Sequence, residues 1–155
     1  MIRLEEILTP ERILADVQGC SKKRVLEQIA RLVAGNQPGL DAQEIFESLV
    51  AREKLGSTGF GHGIAIPHCR LAGCNTPLGA LLRLVTPIDF DAIDGEPVDL
   101  LFVLIVPQAA TDQHLELLRQ IASLLDQETI RNRLRQANSS QELYQTVVES
   151  QSGQA

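Results

Sequence analysis

Val98–Val106 constrains the fold most: eight of its nine residues are apolar, and only Asp99 interrupts them. A strand that is apolar at consecutive positions has no wet face, so it must be covered on both sides. Its unbroken part, Leu100–Val106, is far too short to span a bilayer. The surrounding pattern supplies partners. Ile13–Val17 and Leu78–Val85 have strand composition, and Ile64–Ile66 reads as a short strand running into Pro67. Ser21 is placed to cap a helix carrying Val25, Leu26, Ile29, Ala30, Leu32 and Val33, with Gly35 as its expected end. Asp41, with Glu44 three residues on, caps a second helix closed by Gly56. Thr111 or Asp112 opens a third, through Leu125. A short helix with Ile130 and Leu134 follows, and Ser139 with Glu142 opens the last. Strand, two helices, several strands and further helices describe a sheet covered by helices, α/β or α+β. No repeat or linker divides the chain. The expectation is one domain over residues 1–150, with 151–155 as a flexible tail.

Composition removes several function classes. The 155 residues carry 14 Lys and Arg against 20 Asp and Glu, a net charge of -6. That balance argues against nucleic acid as a partner, and 3% aromatics with no Trp argue against a base-stacking platform. Three cysteines (Cys20, Cys69, Cys74) do not make a secreted disulfide framework. No signal-peptide pattern precedes Arg3, Glu5 and Glu6. The chain is expected to be cytoplasmic and not membrane-inserted.

The charges are unevenly distributed. Residues 54–88 contain no acid and only Lys54, Arg70 and Arg83, whereas Asp89, Asp91, Asp94, Glu96 and Asp99 crowd the next segment. Average usage would put about four or five acids in the first stretch. It is either loop and buried strand, which exclude carboxylates, or a segment that receives an anion. The acidic segment in turn suggests a rim facing a basic partner.

Within the acid-free stretch lies Gly56-Ser-Thr-Gly-Phe-Gly-His-Gly63. It is neither a dinucleotide fingerprint, which runs from strand to helix, nor a phosphate loop, which ends in Lys-Ser/Thr. Its backbone N–H groups are available for an anion nest, or it is a tight irregular turn. His68 follows directly on Pro67, which presents it from a stiff strand end. A histidine in such a place can carry a phosphoryl group on one ring nitrogen while an acceptor holds the other. The transferred group then needs positive donors on its oxygens. Arg52, in the last turn of the second helix, is a candidate for them, and His114, in the first turn of the third, is a second candidate histidine. His62, His68, Cys69, Cys74 and Cys20 raise zinc, but their spacing fits no zinc ribbon or knuckle. A Cys69–His114 nucleophilic pair is a further possibility.

The run Arg52-Glu-Lys-Leu-Gly-Ser-Thr-Gly59, then Gly61-His-Gly-Ile-Ala-Ile-Pro-His68, resembles the IIA components of the bacterial phosphotransferase system, fructose/mannitol type. Thr86–Phe102, His114-Leu-x-Leu-Leu and Leu134–Tyr144 extend the likeness over nearly the whole chain and toward the nitrogen-regulatory branch. The resemblance implies a mixed, mostly five-stranded sheet with helices on both faces. It implies that His68 is the nucleophile phosphorylated on Nε2 (a tele-phosphohistidine), with Arg52 and His114 beside it. Ser57, Thr58, Gly59, Gly61 and Gly63 would form the phosphoryl-binding loop. The donor would be an HPr-like phosphocarrier of NPr type, and regulated targets such as kinases or transporters would respond to phosphorylation state. No metal or cofactor is expected, and no small-molecule turnover by the protein alone. His62 stands where Asn is usual, and Cys69 where Gly is common. The alternatives are a sugar-specific IIA that passes phosphate to a IIB domain and a Cys69/His114 thiol hydrolase. The absence of a IIB or membrane segment in the chain favours the regulatory form.

Overall fold

A computed structural model describes residues 2–19 and 21–152. Cys20, one of the histidine–cysteine set, lies outside them, as do 153–155 of the expected tail. The strands are β1 (Ile13–Val17), β2 (Gly59–Gly61), β3 (Ile64–Ala65), β4 (His68–Leu71), β5 (Leu78–Ile88) and β6 (Val98–Pro107). The helices are α1 (Leu4–Ile7), α2 (Lys22–Asn36), α3 (Ala42–Lys54), α4 (Thr111–Leu125), α5 (Glu128–Gln136) and α6 (Ser140–Ser152). The sheet runs β1-β5-β6-β3-β2, with β4 also paired to β6. It is mixed: β5 is antiparallel to β6, whereas β1 on β5, and β3 and β4 on β6, are parallel.

β6 is covered as its composition requires. Leu101, Val103 and Ile105 belong to the core beneath α2 and α3. Leu100, Phe102, Leu104 and Val106 belong to the core beneath α1, α4, α5 and α6. All seven are fully buried. The alternation is the period of two of a pleated strand, here with apolar residues on both sides.

Ser21 and Asp41 cap α2 and α3 as expected: Ser21 Oγ accepts from Arg24 N at 3.2 Å and Asp41 Oδ2 from Glu44 N at 3.0 Å. The mixed sheet with helices on both faces is as expected, and it has six strands where about five were expected, because His68–Leu71 pairs along β6 and Gly59–Gly61 pairs with β3. Other expectations change. α2 runs through Gly35 to Asn36. β5 continues past Val85 to Ile88. α6 continues through Ser152, two residues into the expected tail, and Leu4 N donates to Gln151 Oε1 at 3.1 Å. Among the described residues no helix is long and apolar enough to cross a membrane.

Candidate active site

Pro67 has no N–H to give the sheet, so strand pairing lapses between β3 and β4. The chain stays in step across the gap: Ile64 and Ala65 lie opposite Leu100 and Leu101, and His68 lies opposite Leu104. Backbone bonds pin both sides, Ile66 N to Thr58 O and Leu104 N to Pro67 O, each 3.0 Å. The Ile66 carbonyl turns back onto the histidine, 2.7 Å from His68 Nδ1. On the other side of the ring, Arg52 Nε lies 3.2 Å from His68 Nε2. Arg52 Nη1 donates to Gly56 O at 2.9 Å, fixing the far end of the guanidinium. His114, from the first turn of α4, meets His68 with ring centroids 5.3 Å apart and planes at 81°.

These contacts define the state of His68. A guanidinium only donates, so Nε2 must present its lone pair to Arg52 and the ring proton must sit on Nδ1, shared with Ile66 O. Burial holds the His68 imidazole below its ordinary value, and the Arg52 charge adds to that. The Ile66 hydrogen bond and the Glu53 charge oppose it. His114 is pushed down to about 4 by burial first, then by His68, Arg70 and Arg52. Near pH 7 the site therefore holds two neutral imidazoles beside an arginine. One imidazole keeps a nucleophilic nitrogen aimed at a cation.

The three residues line a cleft of about 750 Å³. Ser48, Arg70, Gln108 and Thr111 share its wall. Two strongly exposed leucines, Leu55 at 84% and Leu115 at 57%, also line it. In the sequence Arg70 stands out only as one of the few charges in the acid-free stretch. The signal for its place was available: it is two residues from His68 on a strand, hence on the same face. Cys69, between them, points the opposite way into the core. Burial, with Cys74 nearby, pushes its thiol up to about 12. A Cys69 thiolate is thus suppressed, which removes the chemical basis of the Cys69/His114 hydrolase. Among the described residues no three His, Cys, Asp or Glu side chains are grouped to hold a metal ion.

The structure does not bring the glycine loop into the cleft. None of Ser57, Thr58, Gly59, Gly61 and Gly63 lines it. Their polar groups are engaged elsewhere: Thr58 N donates to Glu53, Gly59 N to Ser57 Oγ, and Ser57 Oγ to Phe90 O. His62 and Gly63, at φ of 58° and 76°, form the two-residue turn between β2 and β3. Positive φ at both positions marks the tight hairpin turn whose geometry favours Asn-Gly; here His62 occupies its first position. His62 is exposed and lies outside the cleft lining. Gly59 packs so closely that a Cβ there would lie 2.8 Å from the Ala92 Cβ.

The acidic segment likewise serves the fold. Asp91 pairs with Lys22 at 3.4 Å, Asp94 accepts from His62 N at 3.2 Å, and Asp99 pairs with Arg135 at 2.9 Å. No acid of this segment lines the cleft.

The family model described as phosphoenolpyruvate-dependent sugar phosphotransferase system, EIIA 2, matches residues 6–150. The chain is 68% identical over 154 residues to a nitrogen regulatory protein of Pseudomonas aeruginosa, covering 99% of this chain and all of that one. It is 46% identical over 151 residues to the nitrogen regulatory protein of Escherichia coli, covering 97% and 92%. The crystal structure of nitrogen regulatory protein IIA-Ntr from Neisseria meningitidis superposes with a TM-score of 0.88 at 43% identity, covering 93% of this chain and 98% of that one. The chain therefore belongs to the EIIA type 2 family of the phosphotransferase system, in its nitrogen-regulatory group.

Proposed function

We propose that the protein is a phosphocarrier whose His68 Nε2 accepts a phosphoryl group from the phosphohistidine of an HPr-like, NPr-type donor. Its phosphorylation state then governs which regulatory targets, such as kinases or transporters, it engages. The observation that carries this reading is the two-sided grip on His68, with Nδ1 on Ile66 O at 2.7 Å and Nε2 facing Arg52 Nε at 3.2 Å.

The transfer balances without an added co-reactant. The Nε2 lone pair forms the new N–P bond as the donor's N–P bond breaks and its electron pair returns to the donor imidazole. Positive charge accumulating on the His68 ring is eased by the Nδ1–H bond to Ile66 O. Arg52 releases Nε2 to the incoming phosphorus and turns its fork onto the equatorial oxygens, remaining tethered through Gly56 O. His114 supplies a neutral N–H beside the same oxygens. Leu55 and Leu115 give the approaching carrier an apolar rim. A dianion added between these leucines alters the face that a target would meet.

The test is incubation with phosphoenolpyruvate, enzyme I and an HPr-type donor, followed by intact-mass measurement. One phosphoryl adduct, absent in His68→Ala, supports the carrier. An adduct that persists in His68→Ala, or none in the wild type, overturns it.

A further inference from the structure

We propose that Glu53 is a positioning residue for this transfer: it fastens the turn after α3 so that Arg52 is held against His68. The kinetic part rests on His68 as the acceptor.

Glu53 follows Arg52 in the last turn of α3, so the two side chains leave the helix about 100° apart. Arg52 enters the cleft, whereas the Glu53 side chain is only 6% exposed. A carboxylate that is nearly out of water requires partners. It has them on both oxygens: Thr58 N donates to Oε1 and Oε2, each at 3.2 Å, and Thr58 Oγ1 donates to Oε2. Lys22 Nζ pairs with Oε1 at 2.8 Å.

Two consequences reach Arg52. Glu53 closes the chain from residue 53 to residue 58, and inside that closure lies the Gly56 carbonyl that holds Arg52 Nη1. Gly56 N also donates to Glu53 O at 3.1 Å, so the carbonyl is fixed from both sides of the turn. Secondly, Glu53 forms its ion pair with Lys22 of α2 rather than with its neighbour. The Arg52 guanidinium therefore keeps its donors for His68 and Gly56 O, and for what His68 receives. Lys22 is itself steadied by Asp91 at 3.4 Å and by the Phe90 ring, 4.8 Å from its centroid.

The experiment is a double-mutant cycle on the full chain, with the rate of phosphoryl transfer from a phosphorylated HPr-type donor and the ¹⁵N resonance of Arg52 Nε as readouts. Glu53→Ala should slow transfer on the order of tenfold, the scale of a displaced positioning contact. It should add little to the loss already caused by Arg52→Ala, since both act through one group. Glu53→Gln keeps an acceptor for Thr58 N and should restore most of the rate. The Arg52 Nε signal should lose its His68-bonded shift in Glu53→Ala. Losses that multiply in the double variant, or an unchanged Nε signal with an unchanged rate, overturn the inference. Should Glu53→Ala fail to fold by circular dichroism, Thr58→Val, which removes one donor to Glu53, carries the same cycle. If the wild type accepts no phosphoryl group, the His68 reading fails, and the Nε signal alone then decides whether Glu53 positions Arg52.

Discussion

His68 and His114 meet edge to face, 5.3 Å between ring centres, and His68 makes His114 harder to protonate. Both have folded values below the ordinary imidazole value, His114 at about 4. As pH falls from about 6.5 toward 4, the unfolded chain takes up protons that the folded site resists, so stability falls with pH in that window. Above it, both states are neutral and the contribution is flat. Urea midpoints should therefore drop between pH 7 and pH 5, and less steeply in His114→Gln. A drop of equal size in both proteins would remove His114 as the cause.

Arg52→Gln removes the cation that faces His68 Nε2 and helps hold its imidazole below the ordinary value. The His68 titration, followed by NMR, should move upward. Phosphoryl acceptance should fall on the order of a hundredfold, the scale for loss of one charge-stabilising donor. Arg52→Lys should recover only part, because a point charge cannot span two phosphoryl oxygens as the fork does. Full recovery by Lys would show that charge alone matters.

Cys69 is turned from the cleft into the core, its thiol raised to about 12. Native protein at pH 8 should alkylate slowly at Cys69, and Cys69→Ala should accept phosphoryl groups within a few-fold of the wild-type rate. Rapid alkylation with loss of function in Cys69→Ala would return the thiol to the mechanism.

Gly59→Ala places a Cβ 2.8 Å from that of Ala92. Overpacking of this kind costs about 1–3 kcal/mol. Thermal denaturation should show that loss, while the transfer rate at 25 °C changes little because Gly59 lies outside the cleft lining. A large loss of rate without loss of stability would instead support a phosphoryl cradle in the glycine loop.

Much of this was legible in the residues themselves. Apolar positions on both sides of β6 dictated two covering layers, and Ser21 and Asp41 announced two helices through their side-chain caps. Pro67 before His68 marked where pairing lapses between β3 and β4. What was not legible depends on which of several local and distant pairings the fold selects. The glycines leave an anion nest open beside the more common tight turn, and the pairing of Gly59 and Gly61 with β3 shows a hairpin. α2 passes through Gly35 because the preference of glycine for a helix end is weaker than the packing that holds Val33 and the residues before it. Glu53 carried no signal beyond its place beside Arg52: Lys22 reaches it only through the fold, and nothing in the residues pairs it with Thr58 rather than with solvent.

The central claim concerns one nitrogen. Protein labelled with ¹⁵N in its histidine rings, phosphorylated through an HPr-type donor, should show phosphorus–nitrogen coupling at His68 Nε2. The Nδ1–H bonded to Ile66 O should remain protonated. Coupling at His68 Nδ1, or at either nitrogen of His114 or His62, would contradict the arrangement described here.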